Sequence, residues 1–461
     1  MTDVYVEKPS TFSSRYKDRA LLVFGVLIYI ASFQWTYTHW LSPLFYYFGF
    51  DYNPPSLGYL LLAYILSIVP SLWMPLGILR PSQVSYWVLY VIIFIPSMFI
   101  PLFAGLDEPS KVFWLMLTLF VGFVIAGSSY SFRLHSFKRR TLSNTGFWLF
   151  FGMLGALCTA WVVISFRDHI RLVSFEEIYD LRETASDLME GTLLNYPLMW
   201  LYGAINPFLL AFGLYHKRIF IILIGILGQV LVYSSFGTKA SLLSIVFILG
   251  IYFLLFRFPR IPFALKFVGG IAALFLGLSL WGGMSGEEPG LFLAGALFLV
   301  LFRTFGLAGL LTAQYFHFFR DNPFTYYSHI KLVNTIVNYP YNYPLGTVVG
   351  YYYYNPLVDA TAHFWATDGI AALGLPGILL SSALFALLCW FIDSATRRHD
   401  PRFVGLAIFY ATYSLANLSL FTTLLSGGLG VLILILYLLP CNNAEVTALT
   451  PAYQASPLKS T

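Results

Sequence analysis

Residues 219–256 read IFIILIGILGQVLVYSSFGTKASLLSIVFILGIYFLLF, two apolar runs separated by Gly237-Thr238-Lys239. A bilayer core of about 30 Å takes roughly 20 apolar residues as a helix. Each run approaches that length, and the connection between them is too short to leave a membrane edge. Backbone groups in lipid must be satisfied within their own segment, so the stretch reads as a helical hairpin with Lys239 near its tip. The whole chain agrees with this reading. Of its 461 residues 58% are hydrophobic, 19% aromatic and 10% charged, with a mean hydropathy of +0.74. About a quarter of an ordinary soluble domain is charged. These figures exclude a soluble enzyme, a disordered chain and a nucleic-acid-binding module. The net charge of +5 is too small to indicate a polyanion partner.

Working outward, similar runs fall near 20–40, 57–79, 84–105, 112–131, 146–166, 196–214, 263–282, 370–392, 403–421 and 427–440. With the hairpin they predict about twelve transmembrane helices in one domain, 1–461. Residues 1–19 are polar, and the run after them is too long and aromatic for a cleavable signal, so it is expected to stay as an anchor. The positive-inside rule orients the set. With the N-terminus in the cytoplasm, eight of the 26 basic residues lie outside (Lys111, Arg167, Arg171, Arg182, Lys239, Arg303, Arg320 and Lys331), and the other 18 lie inside. That orientation requires 290–318 to return to the outer face, as a re-entrant or interfacial segment broken near Arg303 and Gly306. It also places both termini in the cytoplasm. Two large outer loops follow, 167–195 and 303–369, and a polar tail, 441–461, expected to be disordered. The three cysteines are far apart and form no disulfide framework or metal spacing.

The unusual residues are on the outer side, and loops on a rigid scaffold are where sites gather. A charge held at a membrane edge is costly. Lys239 is therefore a candidate for binding a lipid-linked phosphate or diphosphate, against the plainer reading of a lysine snorkelling from a tight hairpin. Arg303, in an otherwise apolar stretch, could complete an anion clamp through its bidentate fork. Arg167 and Arg171 are four apart and would share a helix face if that segment is helical; they could instead pair with Glu176 and Glu177. The Tyr- and Asn-rich stretch 338–354, with Tyr351 and Tyr353, offers ring faces for sugar contact or an interfacial aromatic belt. Asp359, His363 and Asp368 precede a span, and one of them could serve as a general base. Asp368 could equally be an N-cap. Asp107-Glu108 reads as a solvated loop, and the chain has no HExxH or Asp-x-Asp metal motif, so no cofactor is expected.

This layout, with Gly237-Thr-Lys239 in a hairpin and Ala362 leading through Asp368-Gly369 to Gly374 and Gly377, resembles Wzy-type O-antigen and oligosaccharide repeat-unit polymerases. The family often has Asn before the Phe where this chain has His363. The resemblance implies an all-α, polytopic, GT-C-like membrane glycosyltransferase of a bacterial inner membrane. It implies metal-independent transfer of a glycan from undecaprenyl diphosphate onto a lipid-linked repeat unit at the periplasmic face. It also implies a separate membrane protein as chain-length regulator. Lys239 and Arg303 would hold the diphosphate, Arg167 and Arg171 the second lipid carrier or its glycan, and Asp368, Asp359 or His363 would act as base. Other readings are a ligase moving the glycan onto a lipid A core, a lipid-linked oligosaccharide transporter, and a lipid-phosphate-sugar-dependent glycosyltransferase using Asp51. A transporter predicts mid-bilayer charges and paired halves.

Overall fold

A computed structural model describes residues 12–137, 142–172, 178–189, 191–285, 295, 297–355 and 358–441. Every regular element among them is helical. In chain order the principal ones are α1 (Arg15–Phe48), α2 (Leu57–Leu72), α3 (Ser82–Ala104), α4 (Pro109–Ser131), α5 (Asn144–Phe166), α6 (Ile178–Met189), α7 (Asn195–Tyr215), α8 (Ile219–Phe236), α9 (Lys239–Phe256), α10 (Phe263–Trp281), α11 (Phe298–Asp321), α12 (Leu345–Tyr353), α13 (Leu375–Thr396), α14 (Pro401–Tyr413), α15 (Leu420–Leu425) and α16 (Leu429–Leu438), with shorter turns at Lys331–Asn334, Trp365–Ile370, Ala371–Leu373 and Ser414–Ala416. Ten of these helices are long and apolar enough to cross a membrane: α1, α3, α4, α5, α7, α8, α9, α10, α11 and α13. The protein is therefore a polytopic helical membrane protein. α2 and α16 are apolar but shorter. The expected span at 403–421 is divided: α14 ends at Tyr413, and α15 restarts where the Ser419 hydroxyl accepts the Thr422 N–H (3.0 Å). A serine that satisfies an orphan N–H favours a new helix start over continuation.

The core is organised around α3, every residue of which is buried. α11, α4, α13 and α14 surround it. A helix start buried in this way needs partners for its free N–H groups. Asp393 on α13 supplies one, accepting the Ser82 N–H (3.0 Å) and the Ser82 hydroxyl (2.7 Å). Three helices widen into a π-helical stretch two residues before a proline: Tyr37–Leu41 before Pro43, Leu89–Phe94 before Pro96, and Leu201–Ile205 before Pro207. Proline lacks an N–H and its ring collides with the carbonyl four residues back; a wider turn moves that carbonyl aside.

One end of the bundle carries the features of interest. Here the loop after α1 meets the end of α3, the Asn53 N–H donating to Phe103 O (2.8 Å) and its side chain to Ala104 O (3.0 Å). α11 departs from the expected broken hairpin. It is continuous, and Arg303 lies in a π-helical stretch, Phe298–Gly306, rather than at a break. Phe298 packs on Phe45 near the end of α1 (centroids 5.9 Å), and Arg320 pairs with Asp107 in the loop after α3. α11 is one of the ten helices of crossing length, so the described residues do not form the expected re-entrant segment.

Candidate functional site

The hairpin tip forms as its sequence requires. Gly237 ends α8 with φ of +67°, a left-handed conformation that glycine adopts without a Cβ penalty. Thr238 is extended, and Lys239 opens α9. The tip is held from behind: the Tyr202 and Tyr410 hydroxyls bond to each other, and Tyr410 also donates to Ala240 O (3.2 Å). α6 brings Arg182 across it, the Nε donating to Gly237 O (3.2 Å). Arg303 is exposed and lies over the rings of Phe298 and Phe302, at 5.5 and 5.7 Å. Both guanidinium charges act on the Lys239 ammonium. Three cations from three separated segments thus share one neighbourhood.

Arg182 was not singled out by the sequence. Only the packing of α6, with Leu181 and Ala185 buried, lays it across the tip. The other pair departs from expectation. α5 ends at Phe166, so Arg167 and Arg171 lie beyond it and do not share a helix face. The Arg167 side chain is 72% exposed and bonds its neighbour Asp168 (3.1 Å). Arg171 is exposed, and its backbone N–H donates to Ser234 O in α8 (3.1 Å). Glu176 and Glu177 lie outside the described residues.

The three base candidates occupy different environments. His363 is fully buried, and its Nε2 lies 2.8 Å from Thr312 Oγ1 and 3.1 Å from Ala308 O, tying the loop to α11. Burial pushes its pKa down to about 3. A site at the membrane surface was expected; the apolar packing of Phe364 and Trp365, both fully buried, draws it inside instead. Asp368 is also fully buried and both its oxygens are engaged. Oδ2 accepts the Leu420 N–H (2.5 Å) and Oδ1 faces His329 Nε2 (3.2 Å). It does not cap its own helix as the alternative reading had it: it lies inside a π-helical stretch, Trp365–Ile370, and its side chain instead meets the first N–H of α15. Asp359 alone of the three is exposed, its Oδ1 accepting the Thr361 hydroxyl (2.7 Å). The adjacent Ala360 N–H donates to Gly346 O (3.0 Å), which holds Asp359 beside the start of α12.

α12 and the aromatic stretch before it line a cleft of about 670 Å³, with Phe318, Tyr341, Tyr351, Tyr352, Tyr354 and Asn355 among its walls. Its floor is fixed. Tyr354 accepts from Gln314 Nε2 (2.6 Å) and donates to Phe48 O (2.9 Å), and Tyr341 donates to Pro323 O (2.6 Å). Burial raises the pKa of both to about 12, so they remain neutral hydroxyls at neutral pH. The rim is open, with Tyr351 65% and Tyr352 56% exposed. Tyr353, expected beside Tyr351, is turned the other way and donates to Gln314 O (3.1 Å), because alternate residues of α12 cannot share a face. Asp107 is not solvated as expected: its side chain is 3% exposed, 3.5 Å from His317 Nδ1 and paired with Arg320.

A chain of edge-to-face ring contacts leads from the cleft to Arg303. Tyr354 meets Phe48 (5.8 Å), Phe48 meets Phe302 (4.8 Å), and Arg303 lies over Phe302. Asp51, near the same end, is exposed and accepts the Tyr37 hydroxyl through its backbone carbonyl (2.7 Å). Among the described residues no group of three or more His, Cys, Asp and Glu side chains is placed to hold a metal ion. Comparison of the chain with family models, with curated proteins and with solved structures gave no match.

Proposed function

We propose that this protein is a membrane glycosyltransferase that polymerises oligosaccharide repeat units carried on undecaprenyl diphosphate, at the outer face of a bacterial inner membrane. The observation that carries the reading is the convergence of Lys239, Arg182 and Arg303 at one end of the bundle. A departing diphosphate is the group such a cluster suits. Its charge develops as the glycosidic bond breaks, and preorganised cations stabilise that charge most where water is scarce. Arg supplies a planar fork and Lys a compact point charge. The order of charges along the sequence supports the outer location, and the resemblance to Wzy-type polymerases supports the substrate class.

The donor is then a lipid-linked glycan chain and the acceptor a single lipid-linked unit whose distal sugar supplies a hydroxyl. The hydroxyl oxygen bonds to the anomeric carbon, the bond from that carbon to the diphosphate breaks, and the hydroxyl proton passes to a base. Asp359 is the candidate base, because it alone of the three is exposed to solvent. Arg167 and Arg171, exposed outside the end of α5, are left as contacts for the second lipid carrier. A separate chain-length regulator is the expected protein partner. The test is transfer by the purified protein in liposomes supplied with undecaprenyl diphosphate-linked repeat units. A ladder of lengthened lipid-linked glycans is expected. Transfer only when a lipid A core is added would make the protein a ligase, and movement of lipid-linked units across the bilayer without transfer would make it a transporter.

A further inference from the structure

We infer that the aromatic cleft is a saccharide subsite that selects uncharged sugar residues. This rests on the proposed reaction and adds the class of glycan it accepts. The cleft volume of about 670 Å³ falls in the range of small-molecule sites, about 300–1,000 Å³. Its chemistry is that of a sugar-binding surface. Tyr351 and Tyr352 stand exposed at the rim, and the C–H face of a pyranose can stack on a tyrosine ring. Asn322 and Asn355 add amide groups at the walls. Tyr341 and Tyr354, held by bonds to the floor, keep the shape fixed before a ligand arrives.

No charged side chain is among the described residues that line it. The ions nearest in sequence to its wall residue Phe318 are turned to one another: Arg320 pairs with Asp107 and with Asp321 (2.7 Å), and His317 lies 3.5 Å from Asp107. A uronate or sialate carboxylate held against these rings would give up part of its hydration without gaining a cation, which disfavours it. An uncharged or N-acetylated sugar meets no such penalty. The cations instead lie beyond Phe48 and Phe302, along the ring contacts that begin at Tyr354. One lipid-linked glycan can therefore place its diphosphate at Lys239 and its neutral sugars in the cleft.

The experiment is ligand-observed NMR on the full-length protein in micelles. The probes are two neutral trisaccharides, maltotriose and tri-N-acetylchitotriose, and one anionic trisaccharide, trigalacturonate. At least one neutral probe should bind and trigalacturonate should not. Tyr351→Ala should weaken that binding by about tenfold, the value of one stacked aromatic face, while Tyr351→Phe keeps it. Equal binding of trigalacturonate, no binding of either neutral probe, or an unchanged affinity in Tyr351→Ala overturns the inference. Lys239→Ala separates the two claims, since it should slow transfer about 10–150-fold and leave neutral-sugar binding intact. Neutral-sugar binding without any transfer by the wild type would remove the reaction and leave the subsite standing as a binding site.

Discussion

Asp368 is the residue on which structure and resemblance pull apart, and its substitutions separate a structural carboxylate from a catalytic one. It is fully buried, with the Leu420 N–H on Oδ2 and His329 on Oδ1. Asp368→Ala strands both groups away from water. Each stranded group costs about 1–3 kcal/mol, so the loss is about 2–6 kcal/mol. Asp368→Asn is close in shape. Its oxygen still accepts the Leu420 N–H, and its amide can donate to His329 Nε2 once the ring proton sits on Nδ1, which has Thr325 Oγ1 at 3.0 Å as acceptor. That variant should cost about 1 kcal/mol. Thermal unfolding in micelles and transfer in liposomes are measured on the same preparations. Alanine should unfold at clearly lower temperature; asparagine should unfold near the wild type and retain transfer. The opposite pattern is expected at exposed Asp359, where Asp359→Asn leaves unfolding unchanged and lowers transfer by about 10²–10⁴-fold, the usual worth of a general base. An Asp368→Asn protein that unfolds normally yet loses transfer a hundredfold would refute this reasoning and make Asp368 the base.

Lys239→Ala removes one of three cations from the leaving group; with charge-assisted bonds at about 1.5–3 kcal/mol each, kcat/KM should fall about 10–150-fold with the fold intact, checked by initial rates and unfolding together. His363 gives a pH dependence. Its folded pKa of about 3 lies below the unfolded value of about 6.5, so the unfolded chain binds the extra proton between those limits, and stability falls as pH drops through that window. His363→Gln should flatten the unfolding profile there, by up to about 1.4 kcal/mol per pH unit; an unchanged profile would show that the ring is protonated when folded. A Cβ at Gly203 would lie 2.1 Å from Gly427 O, so Gly203→Ala should force α7 away from the loop before α16 and cost about 1–3 kcal/mol, read as a lower unfolding temperature.

Much of the fold was legible because lipid imposes a simple rule: apolar runs of helical length are helices. That rule found the hairpin at Gly237 and the long helices on either side. It failed where packing rather than lipid decides the path. α14 and α15 part at Ser419 because a hydroxyl caps a new start, and no hydropathy window reports that. α11 reads as broken at Arg303 because the sequence pairs a charge with a glycine. The chain instead opens into a wider helix, Phe298–Gly306, whose turn Thr304 Oγ1 also bridges by donating to Leu299 O (2.9 Å). Lys239 and Arg303 were legible as costly charges in apolar surroundings. Arg182 was not, since a charge in a polar loop is ordinary until the fold lays it across the hairpin. His363 and Asp368 looked like surface chemistry because they flank a span, and only the contacts with Thr312 and Leu420 reveal them as anchors.

The central claim, that the three converging cations hold a lipid diphosphate, is tested most directly by measuring undecaprenyl diphosphate and undecaprenyl monophosphate binding to the same purified protein. The account predicts tighter binding of the diphosphate, with the preference diminished in Lys239→Ala and further in Lys239→Ala combined with Arg303→Ala. Equal affinity for the two lipids, or a preference that survives both substitutions, would contradict it.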